Sequence, residues 1–262
     1  MSKTELINLA IKAAKAAGNE ILRYYGSSEL EINTKDDNSP VTNADIAAND
    51  AIGFYLQTSG IEICSEENIL SPQKMSPNDT FWLVDPLDGT KDFLQKNGEF
   101  SVCIALIQNA RPSLGVIYIP FSGELFYTDA LFQTYSNTGL IKPQNSFNSL
   151  ISGHSSHSPS VDQIGEHFGL ERIHCGSAIK FCRIAQGVAG IYPRYCASSL
   201  WDIAAGDAIV KASGGGMFSI ETGSELTYSG EKLKNEFFIA FSKAAMSKKD
   251  EYLAYARTLL AK

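Results

Sequence analysis

No two of the five cysteines stand at C-x-x-C spacing, and their number is odd. Cys64, Cys103, Cys175, Cys182 and Cys196 therefore read as reduced, mostly buried thiols of a cytoplasmic protein, not as a disulfide framework or a zinc ribbon. No run of about 18 apolar residues occurs, so no membrane span is expected. Met1-Ser2-Lys3-Thr4-Glu5 leads into alternating polar and apolar residues without an apolar h-region, which predicts no signal peptide. An excess of base is also missing. Lys and Arg number 22 against 29 Asp and Glu, a net charge of −7, with pI near 5.2. That balance argues against wrapping an extended nucleic acid. It leaves room for a small phosphorylated substrate whose charge a metal ion offsets. Internal repeats and low-complexity tracts are absent. What remains is 262 residues, 44% hydrophobic and 19% charged, the composition of one large globular domain or two closely joined lobes.

Leu6, Leu9, Ala10, Ala13, Ala14, Ala17, Ile21 and Leu22 recur at helical spacing. Ser2 with Glu5 forms a capping box before them, and Gly26 lies just past the end. A second helix is predicted from Thr42, with Asp45 three residues on, to about Leu56. Its expected buried face is Ala47, Ala51 and Phe54 or Tyr55. Short apolar strands follow at 61–64 and 81–84. Three more, at 102–107, 114–119 and 125–128, are joined by turn-rich links and read as an antiparallel meander. The polar stretch 136–149 suggests a boundary near residue 142, dividing the chain into lobes 1–142 and 143–262. Beyond it, strands alternate with helices: strands near 150–152, 173–175, 191–192 and 237–241, helices near 161–168, 179–188, 202–212 and 250–260. This argues for a layered α/β arrangement.

The chemistry-bearing feature is a set of acids at element ends. One strand stops at Glu66-Glu67 and another at Asp85, and active groups in α/β sheets gather beyond strand ends. Asp85-Pro86-Leu87-Asp88-Gly89-Thr90 adds a second acid three residues later. Pro86 fixes one φ and Gly89 permits a tight turn. Such a turn aims both carboxylates and the Leu87 carbonyl at one point, a hard-oxygen set suited to Mg²⁺. Backbone N–H groups of Gly89 and Thr90 suit a phosphate oxygen. Each feature also has a plainer reading. Asp-Pro and Asp-Gly are common turns, and Glu66-Glu67 alone suits a solvated loop. Thr42 with Asp45 is by default a helix cap, and Asp202 a charge matched to a helix dipole. Gly176-Ser177 precedes a helix as a cap or an anion site. Lys180, in the first turn where the dipole disfavours a base, hints at an anionic ligand. His154 and His157 read first as exposed loop residues.

The run Trp82-Leu83-Val84-Asp85-Pro86-Leu87-Asp88-Gly89-Thr90-Lys91-Asp92-Phe93 resembles the signature of the inositol monophosphatase superfamily. Leu200-Trp201-Asp202-Ile203-Ala204-Ala205-Gly206-Asp207-Ala208, followed by Ala212-Ser213-Gly214-Gly215, resembles its second signature. Ser65-Glu66-Glu67 matches its acidic loop, and Val41-Thr42 with Asp45 its early motif. Within the superfamily, Gly89 to Phe93, Gly176 to Cys182 and Tyr192-Pro193-Arg194 resemble the CysQ-type 3'(2'),5'-bisphosphate nucleotidases. The Ser-Arg-Ser-His-like motif of those enzymes is replaced by Ser152-Gly153-His154-Ser155-Ser156-His157. Its arginine is missing, and either histidine can take the family role.

The resemblance implies a five-layered α-β-α-β-α sandwich of the inositol monophosphatase/fructose-1,6-bisphosphatase type. It implies two or three Mg²⁺ ions held by Glu66, Asp85, the Leu87 carbonyl, Asp88 and Asp202, with Asp45 and Thr90 acting on the attacking water. Glu66, Asp88, Gly89, Thr90, Ser177, Lys180 and Asp202 would face substrate, with His157 and Arg194 at its rim. The implied reaction removes the 3'-phosphate of 3'-phosphoadenosine 5'-phosphate to give AMP and inorganic phosphate, with inhibition by Li⁺. Alternatives are an inositol or other sugar phosphatase on the same scaffold, or a metal-binding regulatory protein without turnover. The resemblance leaves a homodimer open, and a peripheral place on the inner face of the membrane beside the cytoplasmic one.

Overall fold

A computed structural model describes residues 1–34, 40–144, 147–154, 158–230 and 232–260. Its first helix, α1 (Lys3–Tyr24), begins at the Ser2–Glu5 capping box. β1 (Ile32–Thr34) and β2 (Pro40–Thr42) pair antiparallel and lead into α2 (Asn43–Leu56). The α2 face differs from the expected one. Ala44, Asp45, Ala48, Ile52 and Leu56 are buried, and of the two aromatic alternatives Tyr55 packs half-buried on the same core while Phe54 is 68% exposed. An i, i+4 stripe through 44, 48, 52 and 56 packs on α1, and Asp45 beside it is turned inward. Reading Phe54 as core would have rotated Asp45 away from the cleft.

β3 (Glu62–Ser65) and β4 (Phe81–Asp88) run parallel. The short helix α3 (Thr90–Leu94) follows. The meander is β5 (Ser101–Gln108), β6 (Arg111–Ile119) and β7 (Glu124–Thr128). It continues through β8 (Thr134–Ser136) and β9 (Gly139–Leu140), two short strands inside the stretch read from sequence as a polar linker. All seven form one sheet in chain order.

The second half adds β10 (Ser149–Ser152), β11 (Glu171–His174), β12 (Ile191–Arg194), β13 (Ser198–Ser199), β14 (Gly216–Ser219), β15 (Lys234–Asn235) and β16 (Phe238–Phe241). Five of them make a second sheet in the order β11-β10-β12-β16-β14, and β13 pairs with β15. Its helices are α4 (Pro159–Phe168), α5 (Ile179–Gln186), α6 (Leu200–Ala212) and α7 (Lys249–Thr258).

Three apolar cores separate these elements into layers. The outer face of the seven-stranded sheet (Trp82, Val84, Ile104, Leu106) packs on α1 and α2. Its inner face (Phe81, Leu83, Ala105, Ile117) meets α5 and α6, which also cover Tyr192, Met217 and Phe238 of the second sheet. The far face of that sheet (Leu150, Ile191, Ile239, Phe241) takes α4 and α7. The order is α-β-α-β-α, as the resemblance implies. Buried on both faces, β4 and β5 carry unbroken apolar runs rather than alternation. Cys64, Cys103, Cys175 and Cys182 are buried, Cys196 is exposed, and all five are free thiols. Among the described residues no helix is long and apolar enough to cross a membrane.

Candidate active site

Parallel pairing of β3 with β4 brings two acids to one sheet edge. Ser65 lies opposite Val84, and the Glu66 N–H donates to the Val84 carbonyl at 3.1 Å, which sets Glu66 beside Asp85. β4 does not stop at Asp85, as the sequence suggested. It runs to Asp88 through a register slip, with Asp85 opposite Cys103 and Asp88 opposite Ser101. Pro86 sits in that irregular stretch, where a missing N–H costs no ladder bond. The Asp85 Oδ1 accepts from the Leu87 N–H at 3.1 Å, and the Leu87 carbonyl accepts from the Thr90 hydroxyl at 3.2 Å. Gly89, at φ +88°, then turns the chain into α3. A Cβ there would stand 2.9 Å from the Ser177 Cβ and 3.1 Å from the Glu99 carbonyl, so both conformation and space require glycine.

Asp45 reaches the same place from the first turn of α2. Its Oδ2 accepts from the Thr42 N–H at 2.8 Å and the Thr42 hydroxyl at 2.6 Å. Its Oδ1 lies 3.3 Å from the Thr90 Oγ1, whose single proton is shared between this carboxylate and the Leu87 carbonyl. One oxygen of Asp45 thus caps α2 and the other faces Thr90. Asp202 arrives from the first turn of α6, anchored by the Ser199 N–H at 3.1 Å. From the second half, the Ala178 N–H donates to the Asp88 Oδ2, and the Ser177 and Ser101 hydroxyls share a bond of 3.0 Å.

Burial and mutual repulsion define the electrostatics. Loss of water pushes the Asp85 carboxyl well above its ordinary range, and the charges of Glu66, Asp88, Asp202 and Asp45 push it further. Asp202 is raised to about 7 by burial, then by Asp88 and Glu66, with Arg194 opposing. Asp88 is raised by burial, with Lys180 and the Ala178 N–H opposing. Burial lifts Asp45 to about 6 against its Thr42 bonds, with Glu67 and Glu66 adding to the rise. Asp85, Asp88 and Asp202 thus lose water together and, with Glu66, raise one another's carboxyl groups, Lys180 and Arg194 opposing among the described residues. A set of carboxylate and carbonyl oxygens whose charges oppose one another in this way fits a hard divalent cation such as Mg²⁺.

Beside these acids is a cavity of about 220 Å³, lined by Asp88, Gly89, Lys91, Ser177, Lys180, Tyr192, Arg194 and Asp202. Lys180 is buried. Its ammonium donates to the Cys175 and Ser177 carbonyls and lies 5.5 Å from the centre of the Tyr192 ring. Those carbonyls and Asp88 offset the helix-dipole mismatch noted in the sequence. Arg194 donates to the Tyr192 hydroxyl at 3.2 Å. A larger hollow of about 830 Å³ opens beside Thr42, Ile46 and Glu66. Its described lining includes neither a cation nor Asp85, Asp88 or Asp202, so the smaller cavity suits a phosphorylated ligand better.

His154 lines the smaller cavity, while His157 lies outside the described residues. Sequence reasoning missed Asp92, Glu99 and Ser101. Ligand atoms of Asp92, Glu99 and His154 lie within 4.8 Å of one another. In sequence, Asn97-Gly98-Glu99 carries only a turn signal. Asp207, inside the second signature, is not at the site. It is fully buried against Arg111, 3.0 Å away, and the Tyr228 hydroxyl.

The inositol monophosphatase family model matches residues 2–257. The chain belongs to that family. It is 38% identical to the 3'(2'),5'-bisphosphate nucleotidase CysQ of Buchnera aphidicola over 240 residues, 86% of this chain and 88% of that one. It is 37% identical to the nucleotidase CysQ of Salmonella typhimurium, over 80% of this chain and 88% of the relative. Among solved structures, CysQ of Bacteroides thetaiotaomicron superposes with a TM-score of 0.79 at 32% identity, covering 92% of this chain and 98% of the other. An IMPase of Thermotoga maritima shares the fold at TM-score 0.79 and 23% identity, covering 98% of each.

Proposed function

We propose that this chain is a Mg²⁺-dependent phosphatase that removes the 3'-phosphate of 3'-phosphoadenosine 5'-phosphate, giving AMP and inorganic phosphate. The observation that carries the reading is the buried acid cluster beside the Thr90–Asp45 pair. The CysQ relatives support the choice of substrate. Glu66, Asp85, the Leu87 carbonyl, Asp88 and Asp202 would hold two or three Mg²⁺ ions. Bound there, they supply charge stabilisation at the phosphate and a more acidic water. The work divides between lobes 1–142, with most of the acids, and 143–262, with Asp202 and the cavity's cations. The chain's reduced thiols suit a cytoplasmic setting.

The protein's own groups do the rest. Ionised Asp45 takes the Thr90 hydroxyl proton as a hydrogen bond, leaving an Oγ1 lone pair to accept from the attacking water. Gly89 and Thr90 present backbone N–H groups to the scissile phosphate. Ser177, Lys180 and Arg194 face the second phosphate and the ribose.

Replacing Thr90 with alanine should lower kcat by about 10²–10⁴-fold, the usual worth of a positioned proton acceptor. Thr90→Ser, which keeps the hydroxyl, should retain most of it. Activity needs Asp45 ionised, and its carboxyl is raised to about 6. The kcat profile should therefore fall as pH drops through that region, and Asp45→Asn should lower kcat at every pH. A flat profile from pH 5 to 8 in the unsubstituted enzyme contradicts the pairing.

A phosphate-release panel tests the substrate. With Mg²⁺, 3'-phosphoadenosine 5'-phosphate should show the highest kcat/KM, ahead of inositol 1-phosphate and fructose 1,6-bisphosphate. Lys180→Ala should raise KM for the bisphosphate nucleotide far more than for a single-phosphate substrate. Preference for inositol 1-phosphate overturns the nucleotide reading and leaves a sugar phosphatase.

A further inference from the structure

Ser177 lies in the left-handed region, at φ +43°, which is unfavourable for a non-glycine residue. Such a conformation persists only where its surroundings fix it, and here both flanking N–H groups are held by carboxylates from the first half of the chain. The Gly176 N–H donates to the Glu99 Oε2, and the Ala178 N–H to the Asp88 Oδ2. The approach is close. A Cβ at Gly176 would stand 2.7 Å from the Glu99 carbonyl and 2.8 Å from the Asp92 Oδ2.

Glu99 holds a second element as well. Its Oε2 lies 2.6 Å from the His154 Nε2, across the same cleft. Behind it, the Glu99 N–H donates to the Asn97 Oδ1 at 2.9 Å, and the Asn97 amide to the Asp92 Oδ1 at 2.6 Å. Asp92 is on α3, which begins at Thr90. One run of hydrogen bonds thus links the helix of the reacting centre to Gly176 and His154. Both of those residues line the cavity beside Ser177 and Lys180. The two carboxylate clamps differ in one respect. Asp88 is shared with the proposed metal set, whereas Glu99 is not a member of that set.

We propose that Glu99 is a positioning residue. It fixes the Gly176–Ala178 turn and His154 against the α3 end of the cleft, and so shapes the subsite for the part of a two-phosphate nucleotide beyond the scissile phosphate. An exposed His–Glu pair alone contributes little to stability. The consequence of losing this carboxylate should therefore be a misplaced subsite rather than an unfolded protein.

The inference rests on the nucleotide reading, so its test has two arms. In Glu99→Gln, and more so in Glu99→Ala, KM for 3'-phosphoadenosine 5'-phosphate should rise about tenfold or more, with kcat falling less than about threefold. The ratio of kcat/KM for this substrate to that for p-nitrophenyl phosphate should fall about tenfold. A purely structural role would lower both substrates together, and that result overturns the proposal. The second arm needs no substrate. Amide hydrogen exchange across 176–178 should speed up about tenfold in Glu99→Ala while exchange in the β5 core stays as it was. Unchanged exchange at 176–178 also overturns the proposal. If the unsubstituted enzyme ignores the bisphosphate nucleotide, the substrate reading fails, and the exchange arm alone decides the clamp.

Discussion

Asp202→Asn should lower kcat by about 10³-fold and at the same time raise the melting temperature of the metal-free protein at pH 7. The first effect follows from removing one anionic oxygen from the proposed metal set, where charge stabilisation of several kcal/mol is at stake. The second follows from burial. Asp202 is raised to about 7, first by desolvation and then by Asp88 and Glu66. Its folded-state pKa therefore lies above the unfolded one, so the folded protein binds the extra proton. The contribution of this group is fully present below about pH 4 and is lost as pH rises through about 7. An amide has no charge to desolvate and can keep the bond from the Ser199 N–H. Each kcal/mol regained should appear as roughly 2–4 °C in melting temperature. Mg²⁺ should reverse the ranking, because a ligand stabilises only the state that binds it. Asp88→Asn should show the same loss of turnover with the fold intact. Activity near that of the unsubstituted protein at saturating Mg²⁺ in either variant contradicts the assignment.

Asp207→Ala should do the opposite, destabilising the protein without touching its chemistry. This carboxylate is fully buried and meets Arg111 through both oxygens, at 3.0 and 3.3 Å, and the Tyr228 hydroxyl at 3.0 Å. The Arg111 guanidinium also donates to the Leu226 carbonyl. The cluster ties β6, α6 and the 226–228 segment together, away from the cleft. Arg111 keeps Glu225 at 3.6 Å and the Leu226 carbonyl, but the Tyr228 hydroxyl loses its buried acceptor, at a cost of about 1–3 kcal/mol. At roughly 2–4 °C per kcal/mol, melting should drop by about 2–12 °C. Asp207→Asn should be milder, because burial already raises this carboxyl to about 6. Below the melting transition both variants should keep kcat within about twofold of the parent, since Asp207 does not line the cavity. A kcat loss as large as that of Asp202→Asn would place Asp207 in the reacting machinery instead.

The contrast between Asp202 and Asp207, five residues apart on α6, shows where the sequence was legible and where it was not. Both lie in one signature, and spacing does not tell an acid facing the cleft from one facing an arginine on β6. The long elements were readable because their apolar periodicity and caps are local. The Ser2–Glu5 box and the unbroken apolar runs of β4 and β5 are examples. Short strands such as β8, β9 and β14 were missed, because two to four residues carry too little periodicity to rise above their polar neighbours. The buried face of α2 was misread because Ala47 and Ala51 fit a helical stripe as well as Ala44 and Ala48 do. Only the requirement that Asp45 meet Thr90 selects between them. Glu99 was invisible for a related reason. Its partners, Gly176 and His154, lie 77 and 55 residues away, and nothing in Asn-Gly-Glu signals them.

The central claim is that Glu66, Asp85, the Leu87 carbonyl, Asp88 and Asp202 jointly bind divalent ions next to Thr90. Crystals of the protein grown with Mn²⁺ in place of Mg²⁺, with diffraction collected at the manganese edge, test it directly. The account predicts at least two anomalous peaks among these residues, about 3.5–4 Å apart. Peaks confined to Asp92, Glu99 and His154, or none at all near Asp85, would contradict it.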